Sequence, residues 1–269
     1  MDPSITRLSD DAFAITYFDT NAQNTTIVVT RYGINLELFL SHVFSFSCLG
    51  RVNPDLSITL SEGVVVGVDI SNGIHYTAVG LTPTLYLIGY YNGTGSIELR
   101  TGPLSVMTVM IEDETPVLGA TSVLENKIAA FNLASDRVDD TSAIFTFADV
   151  STNFGISSVL VSIDSVTGIA NFGSSVVFSS GRTLSLVQTY LTMDLDVIVI
   201  SRPTTSATNP SPVKFLVVYS DISNNGILTT AIGSVHTHTL FPLCTHLLIF
   251  FDFRSVGPRS YLKFLQIFY

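Results

Sequence analysis

An acidic or amide side chain closes the same pattern of residues at four places along the chain. Each stands two residues after an aromatic, at the end of a segment rich in β-branched and aromatic residues: Asp19, Asn92, Asp149 and Asp221. Carboxylate and amide oxygens at repeated loop positions could bind calcium or the hydroxyl groups of a sugar. The same residue types also stabilise turns by accepting hydrogen bonds from their own backbone. The sequence leaves both interpretations open.

The segments that carry these four residues predict a repeated strand. They cover residues 13–19, 86–92, 143–149 and 215–221, and their apolar positions alternate with a period of two. A leucine precedes the aromatic by nine residues at Leu8 and Leu81, by fourteen at Leu133 and by twenty-eight at Leu191. These spacings predict insertions in the third and fourth copies. Turns rich in Asn and Gly follow, and further strands come after them.

Four antiparallel strands per copy, with copies spaced by about 50 to 75 residues, are typical of β-propeller blades. We expect an all-β fold: a β-propeller-like array of about four to five four-stranded antiparallel blades, of which the chain need not hold every one. The innermost strands should begin near residues 4, 75, 127 and 184. A β-sandwich or barrel built from the same hairpins is the structural alternative.

The last copy carries a resemblance to known proteins. Residues 176–181, Leu191 with Thr192, and residues 215–221 and 226–235 resemble tandem β-propeller-type repeats of microbial proteins, which are largely uncharacterised. The likeness extends loosely over residues 5–235. It implies the propeller fold and no particular activity.

Composition changes near the C-terminus. We therefore expect a β-propeller-like repeat domain over residues 1–240 and an atypical hydrophobic tail over residues 241–269, where six of the eighteen phenylalanines fall. The tail is either a divergent closing pair of strands or a segment foreign to the natural reading frame. It is too short and too interrupted by polar residues to span a bilayer.

Charge narrows the class of partner. Twelve Lys and Arg against twenty-two Asp and Glu give a net charge of −10, and the basic residues are scattered. A nucleic-acid binder needs a basic patch to neutralise phosphates, so we expect no nucleic-acid partner. We also expect no membrane insertion. No signal peptide is visible, which fits a cytoplasmic protein, or a secreted one whose first residues are missing.

Enzymatic motifs are weak. Acidic clusters at residues 112–114, 136–140 and 194–196 could supply the paired carboxylates of a glycan hydrolase, but the predicted innermost strands carry Arg7, His75, Tyr76 and Lys127 and no acid. We therefore predict a non-enzymatic recognition or scaffolding module that binds a protein or carbohydrate through loops on one propeller face. A glycan-acting hydrolase on the same fold is the alternative.

The predicted ligand-binding set joins the repeated polar residues to two residues of the innermost strands. It consists of Asp19, Asn92, Asp149, Asp221, Arg7 and His75. We predict no catalytic residue, no metal ligand and no cofactor. Bound calcium is the alternative, although the D-x-D-x-D-G spacing of a calcium loop does not occur in the sequence.

Overall fold

The computed structural model describes residues 4–18, 45–55, 57–60, 64–67, 76–91, 101–152, 155–178, 195–201, 212–221, 227–236 and 239–247. Within these ranges the chain forms sixteen strands and one short 3-10 helix at Val150–Thr152. The strands form three sheets in which every pairing is antiparallel, and none of the three closes on itself. The predicted all-β class is confirmed.

The first sheet has five strands. They are β1 (Ser4–Arg7), β2 (Ala12–Phe18), β3 (Ser45–Val52), β4 (Ile58–Leu60) and β5 (Val64–Gly67). The order is β1-β2-β3-β4, and β5 also pairs with β3. The two short strands β4 and β5 thus pair with the same neighbour, β3.

The second sheet has seven strands in chain order. They are β6 (Tyr76–Thr82), β7 (Leu85–Tyr91), β8 (Thr101–Glu112), β9 (Thr115–Asp139), β10 (Ser142–Asp149), β11 (Gly155–Ile163) and β12 (Ala170–Val177). The third sheet has the order β13-β14-β15-β16, with bounds Leu195–Ser201, Val213–Asp221, Ile227–His236 and Thr239–Leu247. Every repeated segment found in the sequence is the second strand of a four-strand group: β2, β7, β10 and β14.

Strand β9 belongs to two of these groups. Its first part, residues 115–130, pairs with β8, and its last part, residues 129–139, pairs with β10. No Gly or Pro follows Gly119 in this 25-residue strand, so nothing in the sequence ends it. We name the groups unit 1 (β1–β5), unit 2 (β6–β8 with residues 115–130), unit 3 (residues 129–139 with β10–β12) and unit 4 (β13–β16).

The four units stack face to face, and a separate hydrophobic core fills each junction. Leu8 and Ala14 of unit 1 share a core with Tyr86 and Ile88 of unit 2. Leu87 and Leu104 of unit 2 share one with Phe145 and Phe147 of unit 3, and Ile144 and Leu160 of unit 3 share one with Phe215 and Val217 of unit 4. We count positions from the first residue of each repeated segment, which is residue 13, 86, 143 or 215. Odd positions then face the preceding unit in units 2 to 4, and even positions face the following unit in units 1 to 3.

Side chains, rather than main-chain pairing, link the first strands of neighbouring units. Ser4 Oγ and Thr6 Oγ1 of β1 accept hydrogen bonds from Ala78 N (2.8 Å) and Gly80 N (2.7 Å) of β6. Asp136 Oδ2 of β9 accepts one from Val199 N of β13 (2.6 Å). These bonds satisfy backbone N–H groups that an edge strand would otherwise leave unpaired.

The insertion predicted for the third copy is wrong. Only Asp140 and Thr141 separate β9 from β10. The residue equivalent to Leu8 and Leu81 is the buried Val138, nine residues before Phe147, and not Leu133. The leucine pattern does not identify this position in the third copy because a valine occupies it.

Two sequence predictions are only partly covered by the described residues. The predicted boundary at residue 240 falls within β16, which pairs with β15, and residues 248–269 lie outside the description. Among the described residues, no helix has the length and apolar character needed to cross a membrane.

Candidate functional site

A cleft of about 540 Å³ opens where the first strands of units 1, 2 and 3 meet. Its walls come from the end of β1 and the following turn, from the middle of β6 and from the last part of β9. They are formed by residues 5–10, residues 78–80 and residues 135–137. Four of these lining residues are charged: Arg7, Asp10, Asp136 and Arg137.

Two arginines occupy the same position in different units. Arg7 pairs with Phe13 at the start of β2, and Arg137 pairs with Ala143 near the start of β10. The residue of unit 2 in the same register is Gly80, which pairs with Tyr86. A Cβ at Gly80 would lie 2.2 Å from the backbone oxygen of Arg7, so only glycine lets β1 approach β6 this closely.

Each arginine contacts an aspartate three residues further along the chain. Arg7 Nη2 donates to Asp10 Oδ1, and Arg137 Nη2 donates to Asp140 Oδ1. Arg7 Nε also donates to the backbone oxygen of Ser9 (3.1 Å). Because a guanidinium has five N–H donors, these contacts with the described residues use only part of each arginine's capacity.

The acidic residues of the cleft are held in different ways. Asp136 accepts hydrogen bonds through both oxygens, from Arg137 N (2.8 Å) and from Val199 N (2.6 Å), so the backbone fixes its orientation. In the turn beside the cleft, Ser9 Oγ donates to Asp11 Oδ1 (2.7 Å), and this bond is the main cause of a lowered pKa at Asp11. The backbone therefore fixes the Asp136 carboxylate and directs it toward β13, which does not line the cleft.

Arg137 also carries an unusual atom. Its Nε is buried and has no hydrogen-bond partner among the described residues, while the side chain as a whole is 32% exposed. A buried N–H without an acceptor costs about 1–3 kcal/mol.

Asp149 lies in a separate, fully buried site. Its Oδ2 accepts from Lys127 Nζ (2.7 Å) and Ser157 Oγ (3.0 Å), and its Oδ1 accepts from the backbone N (3.0 Å) and Oγ (2.5 Å) of Ser151. A carboxylate has about four lone-pair sites, and all four are used here. These contacts stabilise the turn after β10, so they support the turn interpretation of this residue, while its ligand role stays a prediction.

The structure places the six predicted ligand-binding residues as follows. Arg7 lines the cleft, Asp149 lies in the buried turn, and Asp221 ends β14 with its side chain outside the description. Asp19, Asn92 and His75 lie outside the described residues. Asp149 pairs with Ala129 of β9. Ala129 lies eight residues before Arg137 of the cleft, and eight residues of a strand span roughly 25 Å. Arg7 and Asp149 therefore do not share one site.

Sequence reasoning missed three residues of the cleft: Asp10, Asp136 and Arg137. A signal for Arg137 was present, because Arg7 and Arg137 both lie ten residues before the aromatic of their repeats. An alignment anchored on that aromatic, instead of on leucine, places the two arginines in one column.

Chemically, the cleft can donate hydrogen bonds from two guanidinium groups and accept them through carboxylates. The described residues contain no group of three or more His, Cys, Asp or Glu side chains that could hold a metal ion. No model of a known protein family matches this sequence, and no curated protein is significantly similar to it.

Proposed function

We propose that this protein is a non-enzymatic recognition module, built as a β-propeller, whose cleft binds a carbohydrate or a protein. The propeller is supported by the stacking of the units: units 2 and 3 bury both faces, whereas each sheet of a two-layer sandwich buries one. The contacts of β1 with β6, of β6 with β9 and of β9 with β13 also fit strands arranged around one axis.

The charge of the cleft favours a neutral, polar ligand. Arg7 and Arg137 contribute two positive charges, and Asp10 and Asp136 contribute two negative charges, so the formal charges cancel. Alternating donors and acceptors suit the hydroxyl groups of a sugar, each of which can donate and accept. The net charge of the whole chain, −10, disfavours an anionic ligand further. Carbohydrate is therefore our first choice, and a polar peptide surface is the second.

The observation that carries the proposal is the repeated arginine, present at one register position in two units that border one cleft. The test is a glycan array of the full chain, run with calcium and with a chelator, followed by titration of any hit. Arg7→Ala should weaken binding about tenfold or more, because a hydrogen bond from a charged group contributes about 1.5–3 kcal/mol.

Arg51→Ala is the matched control. Arg51 is also exposed at the surface, by 45% against 75% for Arg7, and its Nη2 lies 2.9 Å from Glu114 Oε1, but it does not line the cleft. The control should bind as the unaltered protein does. Equal binding by the Arg7 variant would overturn the cleft as the site, and loss of binding in the chelator would show that calcium takes part.

A glycan hydrolase remains the second candidate because carboxylates line the cleft. Asp10 is the more accessible of the two, since the backbone holds both oxygens of Asp136. A hydrolase would release new reducing ends from a bound glycan and would lose that activity in Asp10→Asn. A recognition module returns the glycan intact.

A further inference from the structure

The stacked units leave one apolar face uncovered at each end of the array. Every unit has a leading face and a trailing face. With positions counted from residue 13, 86, 143 or 215, the odd positions of the second strand form the leading face and the even positions form the trailing face. Three junctions in the chain join a trailing face to the leading face of the next unit. The leading face of unit 1 and the trailing face of unit 4 have no such neighbour in the chain.

Equivalent residues show this difference in exposure. On the leading side, Tyr86 and Phe215 are fully buried or nearly so, whereas Phe13 at the same position of unit 1 is only half-buried. On the trailing side, Leu87 and Ile144 are fully buried, whereas Leu216 of unit 4 is half-buried. The sequence keeps apolar residues at both ends, although water reaches them.

The leading face of unit 1 is apolar across the sheet except at its inner strand, where Arg7 pairs with Phe13. Strand pairing puts Phe13, Gly50 and Leu60 in one row, with Ile58 beside Leu60 and Ile5 in the row of Ile15. Ile5 and Ile58 are each 63% exposed, and Leu60 is 55% exposed. Isolated exposed apolar residues are ordinary, but several on one sheet face mark an interaction surface.

The trailing face of unit 4 is apolar along its middle row, and the exposed Asp196 pairs with Val218 beside that row. Ile198, Leu216 and Ile232 form one row of paired positions, and Val218 lies beside Leu216. Ile198 is 45% exposed and Ile200 is 54% exposed. Since these residues and those of the leading face are exposed together, the two faces do not cover each other within one chain.

We propose that a second copy of this chain covers both faces, head to tail. The trailing face of unit 4 in each copy packs on the leading face of unit 1 in the other, as trailing and leading faces already pack at three junctions within the chain. Two such contacts close a ring of eight units with two-fold symmetry, and propellers commonly have four to eight blades. The proposal rests on the apolar rows of the two faces and not on the ligand of the cleft, although Arg7 of the cleft wall also lies on the leading face.

The test measures the mass of the full chain in solution by light scattering, over a wide range of protein concentration. We expect twice the mass of one chain. Leu60→Asp disables the leading face and Ile198→Asp disables the trailing face, so each variant alone should be a monomer. An equimolar mixture should give a one-to-one complex, because one copy keeps its trailing face and the other keeps its leading face.

Val166→Asp is the control, since Val166 is 91% exposed in a turn and lies on neither face. This variant should remain a dimer. Circular dichroism checks the fold of each variant, and Ile58→Lys and Ile200→Lys replace any that fails to fold. The mixture adds a second check, because only correctly folded faces form the complex.

Three results would overturn the proposal. A monomeric wild-type chain at every concentration excludes self-association. A dimer that persists in either single variant shows that like faces pair with each other. Open-ended chains of copies show that the head-to-tail contact does not close after two.

Discussion

Two aspartates of this chain accept several hydrogen bonds in opposite surroundings. Asp149 is fully buried and contacts Lys127, whereas Asp164 is exposed in the turn before β12 and accepts from Val166 N (2.9 Å) and Thr167 N (2.8 Å). Water screens the exposed group and not the buried one. The same residue type therefore contributes to stability by different amounts and through different physics.

Asp149→Ala should lower the free energy of unfolding by about 3 kcal/mol, because it leaves Lys127 without its partner in a largely buried site. Chemical denaturation of the full chain measures this. Glu125→Ala, which removes an exposed carboxylate from the same strand as Lys127, should change the free energy by less than about 0.5 kcal/mol. Similar values for the two variants would contradict a structural role for the buried pair.

Asp164 gives a prediction about pH. Hydrogen bonds from the backbone of Thr167, then from that of Val166, lower the pKa of Asp164 below its usual value of 3.8. A lowered pKa means that this carboxylate stabilises the fold above its unfolded pKa, and that this contribution is lost as the pH falls through the folded pKa.

Asp164→Asn should therefore melt at a lower temperature than the wild type at neutral pH, and the difference should shrink as the pH falls below about 4. Thermal melts over a series of acidic buffers measure it. A difference that stays constant across the series would show that the charge of Asp164 plays no part.

At the scale of single elements, the β8–β9 hairpin shows a turn that the sequence did not predict. Asp113 and Glu114 connect the strands and both have positive φ, 46° and 64°. Such two-residue turns favour Asn or Asp followed by Gly, and this one has Glu in the second place. The acidic cluster at residues 112–114 is thus part of a hairpin turn.

Glu114→Gly should stabilise the protein by about 0.5 kcal/mol, because glycine adopts positive φ without strain. The loss of the exposed ion pair with Arg51 reduces this gain by only roughly a few tenths of 1 kcal/mol. The denaturation midpoint should rise with an unchanged slope. Glu112→Gly, placed within β8, should instead lower the midpoint.

The second strands could be predicted from the sequence, and the long strand β9 could not. The repeated segments end in an aromatic and a polar residue. Those of the middle units are rich in apolar residues at successive positions because both faces of these units are buried. In β9 the residues around Glu125 and Lys127 interrupt the register, and the strand changes partner there without a turn. Local sequence does not show which neighbour a strand pairs with.

At the scale of the whole molecule, stability depends on how closely the units approach each other. Gly89 of β7 lies against Phe145 of β10, where an added Cβ would be 2.4 Å from the ring. This contact joins units 2 and 3 across their shared core. An array of stacked units is stabilised by such neighbour contacts as much as by the units themselves.

Gly89→Ala should lower the free energy of unfolding by about 1–3 kcal/mol, because it overpacks this junction. In the double variant with Phe145→Leu, the cost of the alanine should fall, since the shorter side chain leaves room. A double-mutant cycle by chemical denaturation measures the coupling. Additive effects would contradict direct contact between the two positions.

The candidate cleft was only partly predictable for a reason that belongs to this scale. Arg7 was identified because the innermost strand of unit 1 is short and well delimited. Arg137 and Asp136 lie in what reads as an acidic cluster, and they reach the cleft only through the packing of β9 against β6, which in turn packs against β1. A site built from three strands distant in sequence requires the packing to be known first.

The sharing of β9 also limits how this gene can be rearranged. In most tandem-repeat proteins a whole repeat can be deleted or duplicated, since each boundary falls in a loop. Here any boundary between units 2 and 3 falls inside β9. A cut there removes the outer strand of unit 2 and the inner strand of unit 3. Units 2 and 3 must therefore be inherited, excised or copied together.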